Sequence, residues 1–238
     1  MTTKYFLLSK PTGTKVNDNT DNQIHVINSP LTCILPYSNL EYYYKNGLFE
    51  GALIEWSKQF CNKNRLFLDI GAHTGTYTLC LADLCKQVYS FEPQRQTYYA
   101  LCGSVALSNK RNVECVRVGL GSPEQVGKQT LNIVSNDGGG SSVQPQNMNV
   151  LDREEIEIRT LDSFQLDDVG FIKMDIEGNE LDCLNGSVET IKRSGYPIIL
   201  FESNTGNNAE LFNYIVQDIG YREVLTITGV MNMFLAVK

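Results

Sequence analysis

The chain has 238 residues, 42% of them hydrophobic, with a formal net charge of -7 and a pI near 4.9. That length suits one sizeable α/β domain that can bury a real core, and it leaves little room for a second full domain. The acid excess excludes a general polyanion binder, because affinity for nucleic acid rests on Lys and Arg neutralising phosphates and no basic run appears.

Seven cysteines are scattered without CxxC pairs, and the only histidines are His25 and His73. That pattern argues against a zinc site and suits a reducing compartment. No stretch combines a basic start with a long apolar core, and no apolar run approaches a membrane span. The expectation is a soluble, cytoplasmic protein without a nucleic-acid partner; oligomeric state is not legible.

Taken in chain order, residues 1–37 are polar and rich in Asn and Thr, so we expect an N-terminal appendage of strands or loops at an edge. Residues 38–238 form the expected main domain. Residues 38–60 show helical spacing in Leu53, Trp56 and Phe60, punctuated by Gly47 and Gly51, which predicts a helix packed on the strand that follows. From there apolar strands alternate with helical segments. "RLFLDI" leads to a helix over about 76–85, "QVYSFEP" to one over about 94–108, and "VECVRVGLG" closes the first half. The second half continues with "VGFIKMDIEG", a helix over about 179–194, "YPIILFESN", a helix over about 208–219, and "REVLTI" with "MNMFLAVK" as an antiparallel hairpin. This alternation predicts a Rossmann-like, doubly wound α/β fold: a mostly parallel seven-stranded sheet with an antiparallel C-terminal strand, in three α/β/α layers. Between the halves, "SNDGGGSSVQPQNMN" is too polar for core and reads as a mobile loop near the ligand crevice.

In a doubly wound sheet the ligand lies outside the carboxyl ends of the strands, where the first strand-to-helix turn brings bare backbone close to it. Gly71 and Gly75 of "DIGAHTG" occupy that turn, and Glu92 ends the next strand about twenty residues on, the spacing at which an acid accepts hydrogen bonds from a ribose diol. A dinucleotide would need GxGxxG, but His73 stands at the middle position and Asp69 precedes the loop. Both disfavour a phosphate-bearing cofactor. S-adenosylmethionine carries ribose and adenine, no phosphate and two cationic groups, so Asp69 and Glu92 suit it, with S-adenosylhomocysteine as product.

These residues resemble the FkbM-type methyltransferases, within the class I S-adenosylmethionine-dependent group. The resemblance covers about residues 65–205 through "FLDIGAHTGTYTL", "FEPQ", Asn109, "GGGSS", "RTLDSF", "FIKMDIEGNELDCLNGS" and "PIILFES". It implies O-methyl transfer to small molecules or sugar hydroxyls. On that resemblance Asp69, Gly71, Ala72, His73, Thr74, Gly75, Glu92, Pro93, Gln94 and Asp175 are expected at the cofactor, and Ser141 and Ser142 at the acceptor. His73 replaces the family's more usual Asn, and the first sixty residues fall outside the resemblance.

A sugar hydroxyl is a weak nucleophile, so a base or a metal ion should help remove its proton. The fourth strand ends in Asp175 and Glu177, which strand alternation would turn to one side, and the fifth in Glu202 and Asn204. Asp175, Glu202 and His73 are the expected catalytic groups, and Glu177 and Asn204 the expected acceptor contacts, with helix capping the competing role for Glu177. Lys173 either pairs with one of these acids or snorkels. Asp175, Glu202 and Asn204 also offer oxygen ligands suited to Mg²⁺. A protein-modifying enzyme, a non-catalytic cofactor-binding module and a nicotinamide oxidoreductase are the rival readings, since fold alone does not fix chemistry.

Overall fold

The computed structural model describes residues 4–9, 15–17, 23–25, 29–144, 149–204 and 208–238. Strands β1 (Tyr5–Ser9), β2 (Lys15–Asn17), β3 (Gln23–His25) and β4 (Thr32–Pro36) open the chain, β1 pairing antiparallel with β4 and β2 with β3. Much of residues 1–28, and residues 145–148 of the expected mobile loop, lie outside the described residues. Buried Cys33 and Leu35 of β4 pack with Tyr43 and Leu79. The backbone of Thr32 and Ile34 donates to Ser108 and Ser104, so β4 is sewn across a helix by its serines.

The helix expected over 38–60 is two, α1 (Leu40–Asn46) and α2 (Gly51–Ser57), followed by a 3-10 turn over Lys58–Phe60. Gly47, at φ +79°, ends the first in a conformation that only glycine adopts without strain. Leu53, Ile54 and Phe60 pack against Phe67 of β5 (Leu66–Ile70), as the spacing predicts, while Trp56 remains partly exposed.

Helix α3 (Thr76–Leu81), strand β6 (Gln87–Phe91), α4 (Arg95–Leu107) and β7 (Val113–Val116) follow. "VECVRVGLG" is not one strand: it leaves the sheet after Val116, and Gly119–Leu120 (β8) joins a second sheet. That sheet, in the order β8, β10 (Asp152–Arg159), β9 (Gly127–Ile133), has β10 parallel to β8 and antiparallel to β9.

Strand β11 (Val169–Met174) re-enters the main sheet, followed by α5 (Glu180–Asn185), α6 (Val188–Arg193), β12 (Ile198–Glu202), α7 (Asn208–Asn213) with a wider helical turn over Tyr214–Ile219, β13 (Glu223–Thr226) and β14 (Met233–Val237). The seven-stranded sheet runs β13-β14-β12-β11-β5-β6-β7. The five strands from β12 to β7 are parallel, and β14 runs against both β12 and β13, so the sheet is mostly parallel with an antiparallel C-terminal strand. Alternate residues of the central strands feed two apolar layers. Leu68, Ile70, Ile172 and Phe201 meet the residues of α5 to α7, whereas Phe67, Phe171 and Leu200 meet those of α2 and α3. The carboxyl ends of β5, β6, β11 and β12 thus share one edge.

Candidate active site

Along that edge a cavity of about 430 Å³ opens, bounded by the turns after β5, β6 and β11, by α1 and the residues leading into α2, and by the glycine-rich segment. Strand register lays Ser90, Asp69 and Lys173 in one row beneath it. Asp69 is fully buried and does not line the cavity. Its Oδ2 accepts from the Thr78 backbone N–H at 2.9 Å and the Thr78 hydroxyl at 2.5 Å, and that hydroxyl lies 2.7 Å from Ser90 Oγ. The expected cofactor contact therefore sits one layer back, where it anchors the start of α3. Burial pushes its pKa up, opposed by the Lys173 charge and the Thr78 bonds.

Gly71, at φ +74°, lies so close to β11 that a Cβ there would fall 1.8 Å from the Asp175 carbonyl oxygen. Gly75, at φ +92°, abuts Leu101, and neither it nor Thr74 reaches the cavity; Gly71, Ala72 and His73 do. His73, itself left-handed, donates its backbone N–H to Glu92 Oε2 at 3.0 Å. The other oxygen of Glu92 accepts from the Gln94 backbone N–H at 2.9 Å. Burial dominates over these bonds and lifts the Glu92 pKa to about 7. Pro93 and Gln94 complete this wall, and the cavity beside it is apolar, with Phe91, Leu120 and Ile158. Gln94 Oε1 and Ser141 Oγ, both buried, have no hydrogen-bond partner among the described residues. A ligand rich in donors would satisfy them.

The cavity is also lined by Asp175, Glu177 and Glu202, each offering an oxygen within 4.8 Å of the other two. Strand alternation does not bring Glu177 there. The strand ends at Met174, and left-handed backbone at Glu177 and Gly178 folds the acid back. Glu177 does not cap α5 either: the N-cap of that helix is Asn179, without a side-chain cap bond, and the turn before the helix is held by Glu180, whose Oε1 accepts from the N–H groups of Ile176 and Gly178. Lys173 is buried beneath the acids, its Nζ 3.3 Å from Asp175 Oδ2 and donating to the Gly71 carbonyl at 3.0 Å. Burial works against its charge, but Asp175, Asp69 and Glu50 outweigh that and raise its pKa to about 12. For Asp175 burial opposes ionisation, yet Lys173 and a hydrogen bond with Glu202 hold its pKa below the usual value. Burial and the Asp175 charge push Glu202 well above the carboxylate range. The two carboxyls share a hydrogen bond and titrate together, Asp175 held down and Glu202 pushed up. Asn204 does not line the cavity itself; its side chain is hydrogen-bonded to Glu202 and accepts from Asn232 at 2.7 Å.

The glycine-rich segment lies across the cavity as a strap. Asp137 O is 2.7 Å from His73 Nε2 and Asp137 Oδ2 accepts from Asn39 at 2.7 Å, while Gly140 N–H donates to Glu177 Oε1 at 3.0 Å and Ser142 Oγ to Glu177 O at 2.7 Å. Ser141 and Ser142 both line the cavity. Burial lowers the His73 pKa against the pull of Asp137, so the ring is neutral at pH 7. Sequence reasoning missed Asn39, Phe49 and Glu50 of the α1–α2 region, where Glu50 accepts from the Tyr77 hydroxyl at 2.9 Å. Polar context around these residues carries no periodic signal. It also missed β9 and β10, although the alternation Glu155, Ile156, Glu157, Ile158 is legible as a half-buried strand.

With this geometry in place, comparison with known proteins shows that the sequence profile of the methyltransferase FkbM domain matches residues 69–223. Among solved structures, methyltransferase FkbM from Methylobacillus flagellatus KT is 21% identical with a TM-score of 0.53, over 82% of this chain and 46% of that one. This chain therefore spans less than half the length of that relative. Precorrin-6y C5,15-methyltransferase from Geobacter metallireducens GS-15 is 15% identical with a TM-score of 0.49, over 79% of this chain and 86% of that one. An rRNA methylase from Streptococcus thermophilus is 16% identical with a TM-score of 0.48, over 78% and 92%. At 21% identity the likeness to the first of these is one of fold. No curated protein matches the chain. Among the described residues no helix is long and apolar enough to cross a membrane.

Proposed function

The chain belongs to the FkbM methyltransferase family, and on that premise we propose that it transfers the methyl group of S-adenosylmethionine to a hydroxyl oxygen of a sugar, glycan or other small acceptor. The observation that supports this most is one cavity lined both by Glu92 with apolar Phe91, Leu120 and Ile158 and by three mutually close carboxylates. Glu92 would accept from the ribose hydroxyls, Gln94 Oε1 would take a further donor, and Phe91, Leu120 and Ile158 would hold the adenine. Gly71 and Ala72 keep the first turn free of bulk. When bound, the cofactor supplies a methyl group made electrophilic by a sulfonium.

The remaining work falls to residues of this chain. Asp175 is ionised and so accepts the acceptor's hydroxyl proton. Lys173 keeps it ionised and positioned, and the neutral Glu202 donates to it from the other side. The strap covers the site and limits water. Glu50, Asp175, Glu177 and Glu202 line the cavity with a single cationic amine, Lys173, among the described residues, which disfavours a phosphate-rich acceptor such as RNA. A divalent cation held by Asp175, Glu177 and Glu202 is the second reading, favoured by their mutual approach within 4.8 Å.

The test is transfer of a deuterated methyl group, read by mass spectrometry, to a panel of neutral oligosaccharides, nucleotide sugars, phenols and short RNA. Label on a sugar or small-molecule hydroxyl is expected, and Asp175→Asn should lower turnover roughly 10²- to 10⁴-fold with cofactor affinity nearly unchanged. Label on RNA alone would overturn the acceptor class. A wild-type rate that survives EDTA assigns Asp175 as base; a rate lost to EDTA and restored by Mg²⁺ assigns the metal.

A further inference from the structure

Two aromatic rings stand in the open where the cavity meets solvent. Phe49, in the turn between α1 and α2, lines the cavity and is 42% exposed, and Tyr42 of α1 is 39% exposed. The two rings stack, with centroids 4.0 Å apart and planes 12° off parallel. Buried Tyr43, its ring centred 5.5 Å from Phe49 and tilted by 75°, wedges the pair from the side. One face of Phe49 is therefore covered by Tyr42, and the area left in water is its other face and rim. A flat, rigid apolar surface held open at a pocket mouth forgoes burial that the fold could use, which marks it as a contact for a ligand.

What surrounds the ring decides its occupant. Glu50, the next residue, accepts from the Tyr77 hydroxyl at 2.9 Å; the Tyr77 ring centroid is 5.4 Å from Lys173 Nζ, and that amine is 3.3 Å from Asp175 Oδ2. A short run of contacts thus joins the platform to the acids. An apolar ring face beside carboxyl groups, with Lys173 the single amine lining the cavity among the described residues, matches a neutral sugar, whose C–H bonds form an apolar face and whose hydroxyls donate to carboxylates. A simple phenol offers these acids a single donor, and a phosphate would meet like charge. A cavity of about 430 Å³ that also takes the cofactor cannot enclose several sugar units, so those beyond the reacting one lie at the mouth.

We propose that Phe49, backed by Tyr42, is a stacking platform for the sugar unit next to the methylated one, which makes the acceptor a neutral glycan of two or more units. This rests on the reading of the chain as an O-methyltransferase of sugars and narrows it.

Neutral trisaccharides of glucose, mannose and N-acetylglucosamine, with the matching methyl monoglycosides, are titrated by calorimetry into the full chain, alone and loaded with S-adenosylhomocysteine. The same sugars are offered for methyl transfer, and thermal unfolding shows which variants fold. At least one trisaccharide should bind about tenfold or more tightly than its monoglycoside. Phe49→Ala and the better-filled Phe49→Leu should each erase that difference, Phe49→Tyr should keep it, and Tyr44→Ala, at an exposed ring outside the cavity lining, should leave it as it is. Equal binding of trisaccharide and monoglycoside, no binding of any trisaccharide, or an advantage that survives in folded Phe49→Leu would each overturn the proposal. So would tighter binding of phenol, or a dimer in light scattering that Phe49→Ala dissociates, which would assign the rings to a second copy. Phe49-dependent binding with no methyl transferred would uphold the platform and overturn the sugar O-methyltransferase reading; transfer to sugars indifferent to Phe49 would do the reverse.

Discussion

Glu92 carries two duties that pull its protonation in opposite directions. It closes the turn by accepting from His73 and Gln94, yet burial leaves its pKa near 7. A raised folded-state value means that the native chain holds a proton the unfolded chain has released, so this group's contribution to stability fades as pH rises through about 7. Ribose hydroxyls donate to the ionised form. Cofactor binding should therefore expel the proton, and affinity should climb between about pH 6 and 8 and then level off, by no more than tenfold per pH unit. Titration calorimetry at several pH values checks this; Glu92→Gln should bind more weakly and lose the slope, and a flat wild-type profile would contradict the assignment. Gly71 is a second single-residue test, because any side chain meets the Asp175 carbonyl and the backbone is left-handed as well. Gly71→Ala should cost roughly 2–5 kcal/mol of stability, read by urea unfolding, and a variant as stable as wild type would show that the two turns do not press together.

At the scale of elements, the glycine-rich strap is the part whose behaviour is most open to measurement. Composition alone suggests a mobile loop, whereas Ser135 to Ser142 are tied to His73, Asn39 and Glu177 by hydrogen bonds. Those bonds join the turns after β5 and β11, so ligand bound between them should slow opening of the strap. Hydrogen exchange with S-adenosylhomocysteine plus acceptor should show added protection over residues 135–144, and exchange unchanged by ligand would count against a lid. The central strands and most helices are legible because their apolar residues repeat at 2 or 3.6 and end at Gly or Pro. Helix breaks are less so: the run expected over 179–194 is interrupted at Gly186, where a Cβ would fall 2.1 Å from the Gly121 carbonyl oxygen, a tertiary contact that no local pattern encodes. The same applies to Asp69, whose place at the strand end is visible but whose capture by Thr78 depends on how α3 turns back over the sheet.

Over the whole molecule, the strand order gathers four carboxyl ends onto one edge, and α1 with the residues leading into α2 closes that edge from the side. The parallel core and the acids Glu92, Asp175 and Glu202 follow from motif and alternation, whereas Glu177 is folded in by left-handed backbone after the strand. The contribution of Asn39, Phe49 and Glu50 does not, since it arises only when α1 and α2 dock beside the first turn. In the proposed function all of these parts serve one end: the cavity holds a ribose-bearing sulfonium cofactor with Glu92 on the ribose. Isothermal titration of wild type and Glu92→Ala with S-adenosylhomocysteine and with NAD tests it most directly. Binding of S-adenosylhomocysteine, no binding of NAD, and a loss of about tenfold or more in affinity for folded Glu92→Ala are expected. Binding of NAD without S-adenosylhomocysteine, or unchanged affinity in the folded variant, would contradict it.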